Sequence, residues 1–437
     1  MSVRHTALCL MLASAMAGAQ APGRPSAAGQ SGSLTIANAR IIDGNGGVIP
    51  QGAIVVRDGR IVSISEKPPA GIIAGLLVGG EGLTVMPGFI DAHRHVMQGD
   101  GARWLDTEAS ARMQEFLDAG FTTILSAGDT LEPILELRRR LAAGEIAGPR
   151  LIVSGRVPLA RAAGAGRGGV DPARLDNSRP PNRPTTPAAG VPDEDTRATV
   201  RTLAKAGVDA FKTNITVTPG GPEKATLALV VAEARKLGIP VITHAVTVED
   251  TIAAVEAGVT TLVHTPHIGH LTDAEVRTIA RSGIPMMSTL GVFVPTFARE
   301  NALVRERTGD DNLPRFRDLD RFPMNTLLSA GQGPVNARLL WEAGVVYGYG
   351  TDTRFLPRDA LAHELRPLRL VFSAQDIVRI MTRNAAATIG LGSEIGTLEA
   401  GKRADLVLLG GNPLEGIDDV LNVKLVVKNG RIVVDRR

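Results

Sequence analysis

Cysteine is almost missing from this chain. One occurs in 437 residues, Cys9, and it lies in an N-terminal segment with the marks of a removable leader. The remainder would carry no thiol and no disulfide, so an oxidising compartment is harmless to it. Also missing is any sign of a membrane anchor, because the apolar run from Ala7 to Ala17 is shorter than the roughly 18 to 20 residues a span needs. Charge of one sign is absent too. Lys and Arg number 48 against 45 Asp and Glu, a formal charge of +3, and aromatics make up 3% of the residues. No basic run is interleaved with those aromatics, which excludes a nucleic-acid groove and leaves a small molecule as the expected partner. Self-association is left open.

What is present is the balance of a protein with a large core, 44% hydrophobic and 21% charged, long enough for one large domain and a small satellite. Arg4 and His5 precede the apolar run, and Ala17-Gly18-Ala19 has the small-x-small form of a cleavage site. Residues 1–19 are therefore read as a secretory signal peptide, which places the protein in the periplasm or outside the cell.

Residues 33–83 carry short apolar runs around tight turns, including a hairpin at Asp58-Gly59, and Asn429-Gly430 repeats the device near the C-terminus. Matching hairpins at both ends predict one small β-sandwich assembled from residues 20–84 and 391–437. Between them, β-rich runs alternate with amphipathic stretches: Thr84 to Ile90, Phe121 to Ser126, Arg150 to Ser154, Ala210 to Asn214, Pro240 to Thr243, Thr260 to Val263, Ile284 to Thr289 and Val345 to Gly348. Helices are expected at Thr196 to Ala206, Ala225 to Leu237, Val248 to Ala257 and Thr272 to Ser282, with another starting at Ser373. Eight such units make residues 85–390 an α/β domain, a TIM (β/α)8 barrel. Two irregular stretches, Arg161 to Asp195 and Phe297 to Gln332, interrupt it on the face where such barrels place their chemistry, the first as a lid or a disordered loop.

The chemistry clusters at strand ends. Met86-Pro87-Gly88-Phe89-Ile90-Asp91-Ala92-His93-Arg94-His95 is an apolar strand that finishes in two histidines one residue apart. In a strand such residues share a side, so both imidazoles can reach one metal ion, while Arg94 faces away toward packing or an ion pair. Lys212, His244, His264 and Asp352 each close a later apolar run. A lysine buried at such a position is costly unless it is paired, deprotonated or modified. An isolated strand histidine is more often a hydrogen-bonded core residue than a ligand, and it is the joint occurrence that favours a metal site.

At this point the sequence resembles the amidohydrolase superfamily, in particular its imidazolonepropionase-like dipeptidases and amidases with a carboxylated lysine. The resemblance rests on the His pair and its preceding strand, on Gly148-Pro149-Arg150, on Gly350-Thr351-Asp352 and on Gly396-Thr397-Leu398-Glu399-Ala400-Gly401-Lys402-Arg403-Ala404-Asp405. It implies a hydrolase with two divalent ions, zinc first and manganese, cobalt or iron as alternatives. His93, His95 and Asp352 would bind one ion and His244 and His264 the other, with Lys212, carboxylated by CO2, bridging them. A bridging hydroxide would attack an amide or peptide carbonyl, in a dipeptide or N-acyl amino acid, and Asp352 would carry its proton to the leaving nitrogen. Lactone, carbamate or other ester hydrolysis uses the same site. Ring deamination is disfavoured, since those relatives have a glutamate where Thr247 stands, and an inactive scaffold should lack ligands. His267, His270 and Phe293 are candidate substrate contacts on the rim, and His363 is read as an ordinary helix residue. The loop arginines, Arg161 among them, are read as solvated.

Overall fold

Every apolar strand near the two chain ends joins one sheet. The computed structural model describes residues 33–67, 75–160, 193–293 and 324–437, with side chains from 331 onward in the last stretch. The proposed leader, residues 161–192 of the Arg- and Pro-rich loop and residues 297–323 lie outside the described residues.

Five strands open the chain: β1 (Leu34–Ile42), β2 (Val48–Arg57), β3 (Arg60–Ser65), β4 (Leu76–Gly79) and β5 (Leu83–Pro87). They share a sheet with the last three, β14 (Leu406–Gly410), β15 (Val423–Lys428) and β16 (Arg431–Asp435), in the order β16-β15-β14-β5-β1-β2-β3, with β4 also on β1. The sheet folds over an apolar core that includes Ile36, Ile54, Val56, Val85, Leu406, Leu425 and Val427, giving a sandwich-like domain from both ends. The two hairpins are more than alike. Asp58 and Gly59 have φ of 49° and 77°, Asn429 and Gly430 48° and 75°, the primed-turn conformation that suits twisted strands. Their tips touch, since a Cβ on Gly430 would stand 2.7 Å from the Cα of Gly59.

The second sheet is a nearly closed parallel barrel of eight strands, β6 (Phe89–Arg94), β7 (Phe121–Ser126), β8 (Arg150–Arg156), β9 (Ala210–Asn214), β10 (Val241–His244), β11 (Thr261–Val263), β12 (Met286–Met287) and β13 (Tyr347–Gly348), each paired to the next. Ala92 N donates to Tyr349 O at 3.0 Å and draws the two ends of the sheet together. Small and medium side chains fill the interior, among them Ala92, Leu125, Ala210, Ile242, Val263 and Met287. The outer face of the strands packs on helices through a larger cluster that includes Phe89, Phe121, Leu227, Ile279, Leu340 and Leu365.

The helices match their signals. Thr272 and Glu275 form a capping box before Asp273–Ser282, and Ser373 and Asp376 form another before Ala374–Arg379. Val248–Ala257 is capped by Thr247 and stops at Gly258, in the left-handed conformation at φ 73°, which glycine adopts without a Cβ clash.

Two expectations need correction. The run from Thr84 to Ile90 is not one strand: β5 stops at Pro87 and pairs with β14, whereas β6 starts at Phe89 and pairs with β7. Gly88 is the joint, packed so tightly that a Cβ there would stand 2.3 Å from Thr122 Oγ1. The irregular stretches are also shorter than expected. Asp193–Ala206 is a helix whose first turn holds Asp193, Glu194 and Asp195, and Met324–Glu342 is a helix that contains Pro334. Three acids at the N-terminus favour the helix through its dipole.

Candidate active site

The histidines, lysine and aspartate expected at strand ends converge at the C-terminal mouth of the barrel. His93, on β6, and His95, just past it, direct their Nε2 atoms to one oxygen of Asp352, Oδ1, at 3.2 and 2.9 Å. The other oxygen of Asp352 is 3.7 Å from His264 Nε2. The rings of His264 and His244 are 4.3 Å apart and nearly perpendicular, and those of His93 and His264 are 5.3 Å apart. Lys212 projects from β9 and is 8% exposed, with no hydrogen-bond partner for its Nζ among the described residues.

Electrostatics set the protonation of the group. Burial holds His93 down to about 4 and His244 to about 3, and the positive charge of Lys212 adds to both. His264 is held well below its ordinary value, first by burial. Burial opposes the charge on Asp352, but the histidines around it hold the carboxyl well below the usual range. Lys212 is lowered to about 7, first by burial and then by Arg156, against the attraction of Asp352. Neutral imidazoles beside an ionised carboxylate are the forms that bind a metal.

Three residues here hold the left-handed backbone without being glycine: His264 at φ 75°, Thr289 at 47° and Asp352 at 51°. They follow β11, β12 and β13, three neighbouring strands, and such strain persists only where the surroundings enforce it. Thr289 Oγ1 bonds His264 Nδ1 at 2.6 Å, which fixes the ring with Nε2 toward Asp352. Glu364, buried on the helix Pro357–Val371, accepts from Ser288 Oγ at 2.6 Å, Leu290 N at 2.8 Å and Gly291 N at 2.6 Å, and so pins the turn that carries Thr289. Asp91 accepts from Thr351 Oγ1 at 2.7 Å and from the backbone N–H of His93 at 3.2 Å, tying β6 to the segment that presents Asp352. Arg94 faces away as expected and donates to Thr351 and Thr353 while lying over the Phe116 ring.

The rim residues divide. His267 is buried and stacks on Phe293, ring centres 3.5 Å apart, and Phe293 is 5.4 Å from His264, so an aromatic wall stands beside the site. His270 is exposed and makes no ring contact among the described residues. Thr247 is occupied with its helix cap, accepting from Asp250 N at 3.0 Å. His363 is a buried helix residue whose ring packs against Phe355. Sequence reasoning missed Thr289 and Glu364, whose roles appear only as contacts across 25 and 76 residues.

One ligand atom each from His93, His264 and Asp352 lie within 4.8 Å of one another. Ligands about 2.0 to 2.2 Å from a tetrahedral ion stand about 3.3 to 3.6 Å apart, close to the spacings found. Buried His264 Nε2 and Lys212 Nζ, without a hydrogen bond among the described residues, are the kind of atoms that an ion, or a group bound to one, would satisfy. The residues fit a metal centre, and His264 lies close both to His244 and to the His93 and Asp352 side.

The model of the amidohydrolase family matches residues 84–433. The chain belongs to the amidohydrolase family. Metal dependence is characteristic of these enzymes. The imidazolonepropionase of Sphingopyxis alaskensis is 27% identical to this amidohydrolase over 401 residues, 84% of this chain and 89% of that protein. A solved structure from Bifidobacterium longum, provisionally described as a prolidase, is 27% identical with a TM-score of 0.72 over 92% of this chain and 95% of its own. A Xaa-Pro dipeptidase with methionine bound in its active site shares the fold, with a TM-score of 0.71 at 21% identity, over 92% of this chain and 99% of that one.

Proposed function

We propose that this amidohydrolase cleaves an amide or peptide bond, in a dipeptide or an N-acyl amino acid, at a centre for two divalent ions. In this reading His93, His95 and Asp352 would hold one ion and His244 and His264 the other, and Lys212, its amine carboxylated by CO2 with loss of a proton, would supply an oxygen ligand shared between them. The observation that carries the reading is the buried Lys212 amine, without a hydrogen-bond partner among the described residues, beside the imidazoles of His93, His244 and His264 and the carboxylate of Asp352. A structural lysine in that position would need an acid of its own. Zinc is the first choice of ion, and manganese, cobalt or iron suit the same donors.

The ions, when bound, supply Lewis acidity and a water of lowered pKa. The chain supplies the rest. Asp352, held ionised, takes a proton at its free oxygen and returns it to the leaving nitrogen. Thr289 and Glu364 keep the His264 ring in place, and the wall of His267 and Phe293 shields one side of the site from water. The prolidase and dipeptidase names of the structural relatives favour a peptide bond over a lactone. Export is part of the reading, and N-terminal sequencing of the secreted form should begin at Gln20.

Activity is tested by incubating the metal-loaded enzyme with dipeptides, N-acyl amino acids and lactones, with and without a chelator. Amide cleavage that the chelator abolishes and added metal restores is the expected result. Turnover of lactones alone overturns the amide assignment.

A further inference from the structure

Arg156 closes β8, and the barrel register decides where it points. Ser154 pairs with Ala210, Gly155 with Phe211 and Arg156 with Lys212. Ala210 fills the barrel interior and Ile152 packs against that interior cluster. Residues two apart on a strand share a face, so Arg156 and Lys212 continue two adjacent inward rows. Neighbouring strands stand about 4.8 Å apart, which puts the base of the Arg156 side chain next to that of Lys212. Lys212 is buried and Arg156 is exposed, so the arginine rises to the rim of the mouth.

The side chain is anchored at one point only. Its Nε donates to the carbonyl of Gly128, just beyond β7, and a Cβ on Gly128 would stand 2.6 Å from that nitrogen and 2.8 Å from Cγ. Gly128, at φ +94°, leaves the space through which the arginine stem passes. The two terminal nitrogens have no hydrogen bond, and the guanidinium no ion pair, among the described residues. Arg354, beyond β13, is likewise held through Nε alone among the described residues, by the carbonyl of Met97, but it does not stand beside Lys212 in the sheet. Arg150 and Arg138 differ. Arg150 bonds Asp405, Thr123 and Asn429, and Arg138 bonds Asp209 and Gly207. An arginine held by Nε, with its planar fork open at the mouth of a catalytic site, matches the geometry of a carboxylate.

We propose that Arg156 binds a free carboxylate of the substrate, so that the enzyme prefers anionic amides, N-acyl amino acids or dipeptides, over neutral ones. This rests on the amide-hydrolase reading above. A competing role is neutralisation of a carboxylated Lys212, which would affect every substrate alike.

The test compares the metal-loaded wild type with Arg156→Gln and Arg156→Lys on N-acetyl-leucine and on its primary amide, following release of the acetyl group. Loss of the charged contact should lower kcat/KM for the acid by about 10- to 100-fold in Arg156→Gln, mainly through KM, with a smaller loss in Arg156→Lys. The amide should change less than about threefold. An equal loss on both substrates, or a fall in metal content, overturns the proposal in favour of the neutralising role. No loss on either overturns it outright. If the wild type cleaves neither compound, amide hydrolysis fails by itself and the carboxylate site is judged by calorimetric binding of the same two compounds. Weaker binding of the acid alone to Arg156→Gln then supports it, and unchanged binding overturns it.

Discussion

The two ends of the barrel treat their polar groups in opposite ways. At the N-terminal ends of the strands, Arg150 is satisfied by Asp405, Thr123 and Asn429, each at 2.8 Å, and Lys428 donates to Gly148 O. At the C-terminal ends, His93 Nδ1, His95 Nδ1, His264 Nε2 and Lys212 Nζ are buried without a hydrogen bond among the described residues, and three non-glycine residues hold a left-handed backbone. Buried polar groups are paired almost everywhere in native proteins. Single exceptions such as Arg379 Nε occur elsewhere, but a cluster of them around one carboxylate is what the proposed function would require, while the paired end joins the barrel to the sheet of the chain ends.

Breaking the unpaired end should cost activity rather than stability. The largest effect is expected for Asp352→Asn, which should lower kcat by about 10³-fold or more while thermal unfolding shows a folded protein. Thr289→Val removes the bond that orients His264 and should weaken metal affinity or activity by about 10- to 100-fold, read by metal titration and rates. Breaking the paired end should do the reverse. Arg150→Met leaves Asp405 without its cation and should cost about 2 to 3 kcal/mol in denaturant unfolding, with unchanged activity per folded molecule.

The smallest effect sharpens the contrast by pH. Burial holds His267 down to about 3, whereas the unfolded chain takes up a proton near pH 6.5. Its neutral ring therefore adds stability above about pH 6.5 that is lost as pH falls toward 3. His267→Phe keeps the stack on Phe293 without titrating, so the drop in Tm between pH 6.5 and 4 should be smaller than in wild type by about 2 °C.

Much of this was legible in the residues. The His pair, Lys212, His244, His264 and Asp352 stand out because strand periodicity and an unusual residue at each strand end are local signals, and the hairpins are visible as Asp-Gly and Asn-Gly. Gly88 hid the change of sheet, since the apolar run from Thr84 to Ile90 continues through it and only pairing separates β5 from β6. Gly331, Gly333 and Pro334 made the start of the helix Met324–Glu342 read as irregular, where packing of Ala337 and Leu340 overrides propensity. Thr289 and Glu364 carry no pattern at all, because they act through contacts distant in sequence and through a backbone angle. Arg156 lies on the same inward row as Ile152 and Ser154 but past the end of the apolar run, so only the pairing with Lys212 marks it.

The proposed bridged centre is tested most directly by counting metal. Wild type and Lys212→Ala would be loaded with zinc under CO2, freed of excess ion and measured by plasma mass spectrometry. About two ions per wild-type chain, with loss of at least one in the variant and of nearly all amide hydrolysis, is the result predicted. One ion or none in the wild type, or two that the variant retains, would contradict it.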